Sequence, residues 1–293
     1  MPAPSASGRS RYRGRFAPSP TGPLHWGSLY TAVASWLDAR SHDGTWLIRM
    51  EDVDGLRCRR EWGEDILDTL SAHGLTSDEP VIWQSGRHTL YQRQLDSLIR
   101  QGHVYACPCS RKALSQGHHR PDCPSGREKD VAWRLGGRSE HVVFRDRIRG
   151  LCHLPPAPPA QDPVLRRRDG FWAYQMAVVC DDLDQHITHI VRGQDLLECT
   201  HAQIRLFRFL GASAPEFMHL PLITRGGQKL SKQNLAEPVD KRTPADNLRQ
   251  VLLWLGITHP EVHAERTPER LLATAIAYWP CWPALWRHNI PLG

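Results

Sequence analysis

The sequence predicts an α/β fold organised around a parallel sheet, and three observations carry that prediction. A strand, a proline- and glycine-rich turn, a helix and a second strand follow one another between residues 13 and 50, the order of a βαβ unit. A second stretch of strand- and helix-like sequence returns at 171–210, after a segment of different character. The chain has 293 residues, of which 40% are hydrophobic and 23% charged, enough to bury a sizeable core.

The elements can be justified in order. Met1–Gly14 is small, polar and Arg-containing, without the apolar run of a secretory signal, and is expected to be a disordered leader. Arg13–Ala17 reads as a strand and Pro18–Pro23 as a turn. A helix is expected over Gly27–Arg40, because Leu29, Ala32, Val33, Trp36 and Leu37 recur at helical spacing. Thr45–Met50 is the next strand and runs into Glu51-Asp52-Val53-Asp54; helices follow at 60–73 and 87–102. Residues 103–130 are rich in Cys, His, Arg and Pro, and Leu154–Pro163 is a proline-heavy linker followed by Arg166-Arg167-Arg168. Strands are expected at Phe171–Val179 and His186–Val191, and a helix at 199–210. The tail from Thr243 reads helical, with Leu248, Val251, Leu252 and Leu255 on one face and a further helix near Glu269–Trp279.

Composition narrows the function. The longest uncharged apolar run, 271–286, is interrupted by Pro280 and Pro283 and is too short to span a bilayer. Eight cysteines in a chain of this length do not make a disulfide scaffold, and a reducing, cytoplasmic setting suits them better. The formal charge of +6 permits a nucleic-acid or phosphorylated partner without demanding one. Only five of the 37 basic side chains are lysines: Lys112, Lys129, Lys229, Lys232 and Lys241.

Two segments carry chemistry. Arg15-Phe16-Ala17-Pro18-Ser19-Pro20-Thr21-Gly22-Pro23-Leu24-His25-Trp26-Gly27-Ser28 sets a tight turn and a helix start beyond a strand's carboxyl end. Helix amides favour phosphate there, Gly27 allows close backbone approach, and His25 can donate to a developing charge. Leu222-Ile223-Thr224-Arg225-Gly226-Gly227-Gln228-Lys229-Leu230-Ser231-Lys232 places two ammonium groups in a glycine-containing loop, an arrangement suited to triphosphate.

The first segment closely resembles the Phe-Ala-Pro-Ser-Pro-Thr-Gly-x-Leu-His-x-Gly signature of class I aminoacyl-tRNA synthetases of the glutamyl/glutaminyl branch. Ser28 stands where the family's second histidine falls, and keeps a hydrogen-bonding group there. Lys229-Leu230-Ser231-Lys232 resembles the Lys-Met-Ser-Lys-Ser motif of the same class, with Gln233 in place of the last serine. The resemblance implies a Rossmann-type class I synthetase catalytic core over about 13–256, with a zinc-bearing insertion and a short helical C-terminal region. The expected division is a first Rossmann half at 15–102, an insertion at 103–170, a second half at 171–240 and helices at 241–293.

It also implies the site. His25, Lys229 and Lys232 would be catalytic, with Pro18, Gly27 and Ser28 beside them around ATP and its Mg²⁺. Glutamate presents two carboxylates and an ammonium, and so requires two cationic partners and one anionic one. Residues matching Arg15, Phe16, Ala17, Pro18, Ser19, Glu51, Tyr174 and Arg192 would line its pocket, Glu51 taking the ammonium and the arginines sharing the carboxylates. Which arginine reads the side chain stays open, as does any nucleotide contact at Gln194, where many relatives carry Glu. Cys107, Cys109 and Cys123, with an imidazole at His118 or His119, suit a structural Zn²⁺. The branch's insertion pattern selects Cys107, Cys109, His119 and Cys123.

A full glutamyl-tRNA synthetase continues into an anticodon-binding domain, which is not expected here. The segment Phe171–Gln175 and the short tail look more like the truncated paralogue family that attaches glutamate to the queuosine base of tRNA(Asp). That resemblance implies L-glutamate, ATP and queuosine-bearing tRNA(Asp) as substrates, a monomer, and no membrane partner. Charging of a tRNA 3′ end and a non-catalytic tRNA-binding role are the alternatives.

Overall fold

The computed structural model describes residues 11–115, 131–136, 140–156, 161–225, 228–229, 238–279 and 290–292. In chain order the first elements are β1 (Arg13–Phe16), α1 (Trp26–Ser41), β2 (Thr45–Met50), α2 (Arg60–Ala72), β3 (Ile82–Trp83) and α3 (His88–Arg100). The middle of the chain contributes β4 (Val104–Cys107), α4 (Arg111–Ser115), β5 (Ala132–Leu135), β6 (Val142–Asp146), β7 (Gly150–Leu154) and β8 (Val164–Arg166). Then come α5 (Tyr174–Asp184), β9 (His189–Gly193), α6 (Cys199–Phe209), β10 (Glu216–Leu220), β11 (Ile223–Arg225) and β12 (Gln228–Lys229). The last are α7 (Pro244–Trp254), α8 (Pro260–Ala264), α9 (Pro268–Ile276) and β13 (Ile290–Leu292).

The sheet confirms the parallel pairing expected from the βαβ unit. Strand β1 pairs in parallel with β2, and β2 with β3. Strand β10 lies between β9 and β6, parallel to both, and β7 closes a hairpin on β6. The two halves meet where the Thr188 N–H donates to the Arg13 carbonyl (3.0 Å) and the Arg13 N–H to Thr188 Oγ1 (2.8 Å). The beginnings of β1 and β9 therefore lie side by side, the strands run the same way, and the order is β3-β2-β1-β9-β10-β6-β7. Chain direction across the sheet reverses between β1 and β9, the place where open α/β sheets leave a crevice at their carboxyl edge.

Helix α1 covers this sheet and is buried on several sides, including Leu29, Val33, Ser35, Leu37 and Asp38. Helices α7 and α9 pack on its other side, so it lies between two apolar layers, which is why its hydrophobic pattern is wider than one stripe. Gly63 in α2 is required by close approach, since a Cβ there would sit 2.2 Å from the Trp83 ring.

Three expectations are corrected. Phe171–Val179 is not a strand: the chain enters α5 at Tyr174, and Met176–Asp182 is buried throughout. A short, continuously apolar run buries equally well as a strand or as a core helix, so periodicity does not separate them. The expected leader, 1–14, is too long, because Tyr12 is buried and Arg13 opens β1; residues 1–10 lie outside the described residues. The middle of the chain is not one excursion. Among the described residues of this segment, β4, β5 and β8 form a separate antiparallel sheet, whereas the β6–β7 hairpin pairs with β10 of the main one.

Asp38 ties distant elements together. Its fully buried carboxylate accepts both Arg147 nitrogens (2.5 and 2.9 Å), the Tyr12 hydroxyl, and Trp279 Nε1 (3.0 Å). It thereby joins the chain just before β1, α1, the β6–β7 turn and the end of the C-terminal helices. Among the described residues no helix is long and apolar enough to cross a membrane. Asp38→Ala removes the fully buried carboxylate that accepts from Arg147, Tyr12 and Trp279, and should cost about 3–5 kcal/mol of unfolding free energy, measured by urea denaturation; a loss below 1 kcal/mol contradicts this role.

Candidate functional site

The carboxyl edge at the β1–β9 junction opens into a cleft of about 740 Å³. Its walls include Arg15, Phe16, Ala17, Pro18, Ser19, His25, Gly27, Ser28, Glu51, Tyr174 and Arg192. The expected phosphate turn and the expected amino-acid pocket thus share one cavity. Tyr174 reaches it from the first turn of α5 rather than from a strand.

The turn is built by local constraints. Pro18 accepts from the Glu51 N–H (2.9 Å), which locks the exit of β1 to the exit of β2. His25 is the N-cap of α1: its Nδ1 accepts from the Ser28 N–H (3.3 Å), and its Nε2 lies 3.0 Å from Ser28 Oγ. With Nδ1 accepting, the neutral ring carries its proton on Nε2. Ser28 thus orients the imidazole, which is what a hydrogen-bonding residue at this position accomplishes. The Ser28 and Leu29 amides also donate to the His25 carbonyl (2.9 and 3.0 Å), which closes the first turn of α1; helix starts of this kind suit anions.

The chain after the second motif pairs with the end of the phosphate turn. Pro238 bridges antiparallel to His25, and the Val239 N–H donates to the Leu24 carbonyl (2.9 Å). On the near side, β12 ends at Lys229 and pairs with β11, which β13 flanks in parallel. The Lys229 side chain and all of Lys232 lie outside the described residues.

Beneath the cleft floor is a buried charge network. Arg15 donates from Nε to Asp182 Oδ1 (3.0 Å), and Arg49 donates to Asp182 Oδ1 (2.9 Å) and Gln185 (2.7 Å). Arg49 also faces Glu51 (3.5 Å) and Asp181 (3.7 Å). Asp181 in turn accepts from Gln84 (2.7 Å), Arg87 (2.6 Å) and Tyr91 (2.8 Å). Burial would raise the Asp182 carboxyl, but Arg15 and Arg49 hold it below its usual value. Glu51 is less compensated: burial pushes it up to about 7, against the pull of Arg49 and Arg15. It is a buried acid that a ligand cation would complete.

Arg192 is the reverse case. It is 4% exposed, and its guanidinium donates to His219 Nε2 (3.0 Å), Gln203 Oε1 (2.7 Å) and Thr200 Oγ1 (2.7 Å), all neutral acceptors. No carboxylate among the described residues lies within ion-pairing distance of it, and burial lowers its pKa. The cleft therefore has one wall seeking a cation and another seeking an anion.

Sequence reasoning missed Arg49, His219, Asp146 and Gln203 as supports, and Asp195 as a lining residue beside Gly193, where a Cβ would sit 2.5 Å from Asp195 Oδ1. The available signal was a polar residue inside an apolar strand, as in Leu47-Ile48-Arg49-Met50 and Phe217-Met218-His219-Leu220. The arginine triplet is not a bare basic face. Arg166 lies over the Trp172 ring and donates to Gln92, Arg167 pairs with Asp169, and Arg168 donates to the Pro108 and Cys109 carbonyls. Of the expected zinc ligands, Cys107 is buried at the end of β4 and Cys109 is half-buried, while His119 and Cys123 lie outside the described residues. Among the described residues no three potential ligands converge on a metal site, so a zinc-bearing character of the middle segment stays an expectation.

Comparison with known proteins agrees with this geometry. The profile of the catalytic domain of class I tRNA synthetases (E and Q) matches residues 11–135 and 125–255. A glutamyl-Q tRNA(Asp) synthetase of Cupriavidus metallidurans is 47% identical over 286 residues, covering 92% of this chain and 91% of that protein. One from Chromobacterium violaceum is 48% identical over 262 residues, covering 85% and 88%. A crystal structure of a glutamate tRNA ligase from Elizabethkingia meningosepticum, in complex with its amino acid, has a TM-score of 0.68 and 28% identity. That match covers 77% of this chain and 53% of the ligase, so the chain spans about half the ligase's length.

The Glu51 environment fixes a pH dependence. An ammonium binds the carboxylate form, so below about pH 7 a proton must leave before ligand binds. Calorimetric affinity for L-glutamate should fall as pH drops below about 7, approaching tenfold per unit, and Glu51→Gln should abolish that slope.

Proposed function

The chain belongs to the class I glutamyl/glutaminyl tRNA synthetase family and, within it, to the glutamyl-Q tRNA(Asp) synthetases; from that membership we propose how its cleft activates glutamate and where the glutamyl group goes. It is a ligase of the aminoacyl-tRNA synthetase type. The observation that carries the substrate assignment is the pairing, in one cleft, of an undercompensated Glu51 with an Arg192 that has only neutral partners. L-Glutamate supplies an ammonium for the first and a carboxylate for the second. Arg15, already neutralised in part by Asp182, is left to orient rather than to dominate, so we assign the side-chain carboxylate to Arg192.

Activation follows from position and charge. A glutamate α-carboxylate oxygen attacks the α-phosphorus of ATP, an O–P bond forms, and pyrophosphate departs. The nucleophile is already ionised, so no protein base takes part. His25, capped on Ser28, would turn its Nε2–H from Ser28 Oγ to the phosphate at the start of α1, while Gly27 lets the nucleotide approach and Pro18 shapes the turn beside it. Lys229 and Lys232, from the Lys-Leu-Ser-Lys motif, neutralise the charge that moves onto pyrophosphate. Mg²⁺ bound with ATP would supply further phosphate neutralisation. In the second step a hydroxyl of the queuosine cyclopentenediol attacks the acyl carbon, the adenylate's C–O bond breaks, AMP leaves and an ester remains.

The relatives support the queuosine acceptor, since they carry the glutamyl-Q tRNA(Asp) name and match this chain over most of their length. We place the reaction in the cytoplasm, where tRNA and ATP are available, with a monomer as the working unit. Zinc fits the soft donors of the Cys107-Pro108-Cys109 knuckle, whose backbone Arg168 already grips. With His119 and Cys123 it would be structural, pinning the segment beside β4.

Glutamate-dependent ATP–pyrophosphate exchange without tRNA should occur with glutamate and be at least tenfold weaker with glutamine or aspartate. Labelled glutamate should then appear on tRNA containing queuosine and not on tRNA lacking it; glutamate found only on the terminal adenosine ribose overturns the acceptor assignment. Metal analysis should find a single zinc per chain, lost in Cys107→Ser.

A further inference from the structure

We propose that His219, held by Asp146, is a positioning residue that keeps Arg192 free of any protein carboxylate and so makes the pocket demand a second carboxylate from its amino acid. This rests on the reading of Arg192 as a glutamate-pocket residue. The contrast among the buried arginines carries it. Arg15 and Arg49 are each paired with Asp182, whereas Arg192 meets only an imidazole, an amide and a hydroxyl. A buried guanidinium without a counter-charge is costly, and the cost is recovered when a ligand brings the anion.

The imidazole acts through its tautomer. To accept the Arg192 Nε–H, His219 Nε2 must be unprotonated, which places the ring proton on Nδ1. Asp146 Oδ2 receives that proton's hydrogen bond at 2.7 Å and also accepts the His219 N–H at 3.1 Å. Asp146 is itself fixed by the Ile148 and Arg149 amides (2.9 and 2.8 Å) in the β6–β7 turn. The nearest carboxylate in this chain of contacts therefore stands one ring away from the guanidinium. Phe217, on the same face of β10, lies under Arg192 with the guanidinium 5.1 Å from its ring centre, and stacks near His219. The hairpin from the middle of the chain thereby reaches the specificity pocket in two steps, Asp146 to His219 to Arg192.

Gln203 gives an independent test. Its Oε1 serves Arg192 while its buried Nε2 has no hydrogen-bond partner among the described residues, so a carboxylate there breaks no existing bond. Gln203→Glu would neutralise Arg192 from within. The assay is glutamate- and glutamine-dependent ATP–pyrophosphate exchange on the full chain, with melting temperature recorded for each variant. His219→Leu should raise the glutamate KM tenfold or more, with the ATP KM within twofold of the parent. His219→Gln, which can accept from Arg192 and donate to Asp146, should recover most of that loss. Gln203→Glu should lower the ratio of kcat/KM for glutamate over glutamine at least tenfold, and decides alone if His219→Leu does not fold. A folded His219→Leu with the parent glutamate KM, or a folded Gln203→Glu with the parent ratio, overturns the proposal while an impaired Arg192→Lys leaves the pocket reading intact. If Arg192→Lys also keeps the parent glutamate KM, the pocket reading itself fails.

Discussion

The buried ion network around Asp182 is the constraint on which the rest of the structure depends. Arg15 lies in β1 and Arg49 in β2, and both donate to one carboxylate on α5, far along the chain. Burying two guanidinium groups side by side is costly unless acids meet them. Helix α5 must therefore dock against the carboxyl ends of β1 and β2, which brings Tyr174 at its first turn into the cleft. Asp181 extends the same network to α3 through Arg87 and Tyr91, so the two halves of the sheet are joined by charge as well as by the Thr188–Arg13 hydrogen bonds.

The cleft above this network is an unfinished charge pattern. Glu51 faces two arginines that are already engaged by Asp182, and its carboxyl is pushed up by burial. Arg192, across the junction, is held by neutral groups. The pattern is completed by a zwitterion with an additional carboxylate, which is a chemical description of glutamate. In the proposed reading, recognition rests less on adding contacts than on leaving one buried acid and one buried base each short of a counter-ion. A ligand lacking either charge leaves one of them unpaired, and that penalty is a stronger discriminator than a missing apolar contact.

Elements outside the sheet serve this arrangement. The β6–β7 hairpin, although embedded in the middle segment, holds both Asp146 and Arg147 near its turn: the first reaches the pocket through His219, the second anchors Asp38 in α1. Pro238, just before α7, is tied to His25 by an antiparallel bridge, so the phosphate turn is held from the C-terminal part of the chain as well as from β2. Arg166 stacks on Trp172 and the exposed Arg168 grips the Cys-Pro-Cys knuckle, a structural use of charge that a count of basic residues does not distinguish from a binding face.

The sequence by itself determined the βαβ unit, the boundaries of β2 and α6 nearly to the residue, and the candidate residues Arg15, His25, Glu51 and Arg192, which the fold brings to one cleft. These follow from local causes: helical spacing, turn chemistry, and motifs contiguous along the chain. Tertiary structure alone decided that α5 is a helix, because a continuously apolar run is neutral between helix and strand until its surroundings exist. It alone decided that the β6–β7 hairpin belongs to the main sheet and that Asp38 joins four segments. It also decided which arginine lacks a counter-charge. Arg15 and Arg192 read alike as basic residues beside strand ends. What separates them is Asp182 against one and His219, Gln203 and Thr200 against the other, partners that only the folded chain brings within hydrogen-bonding distance.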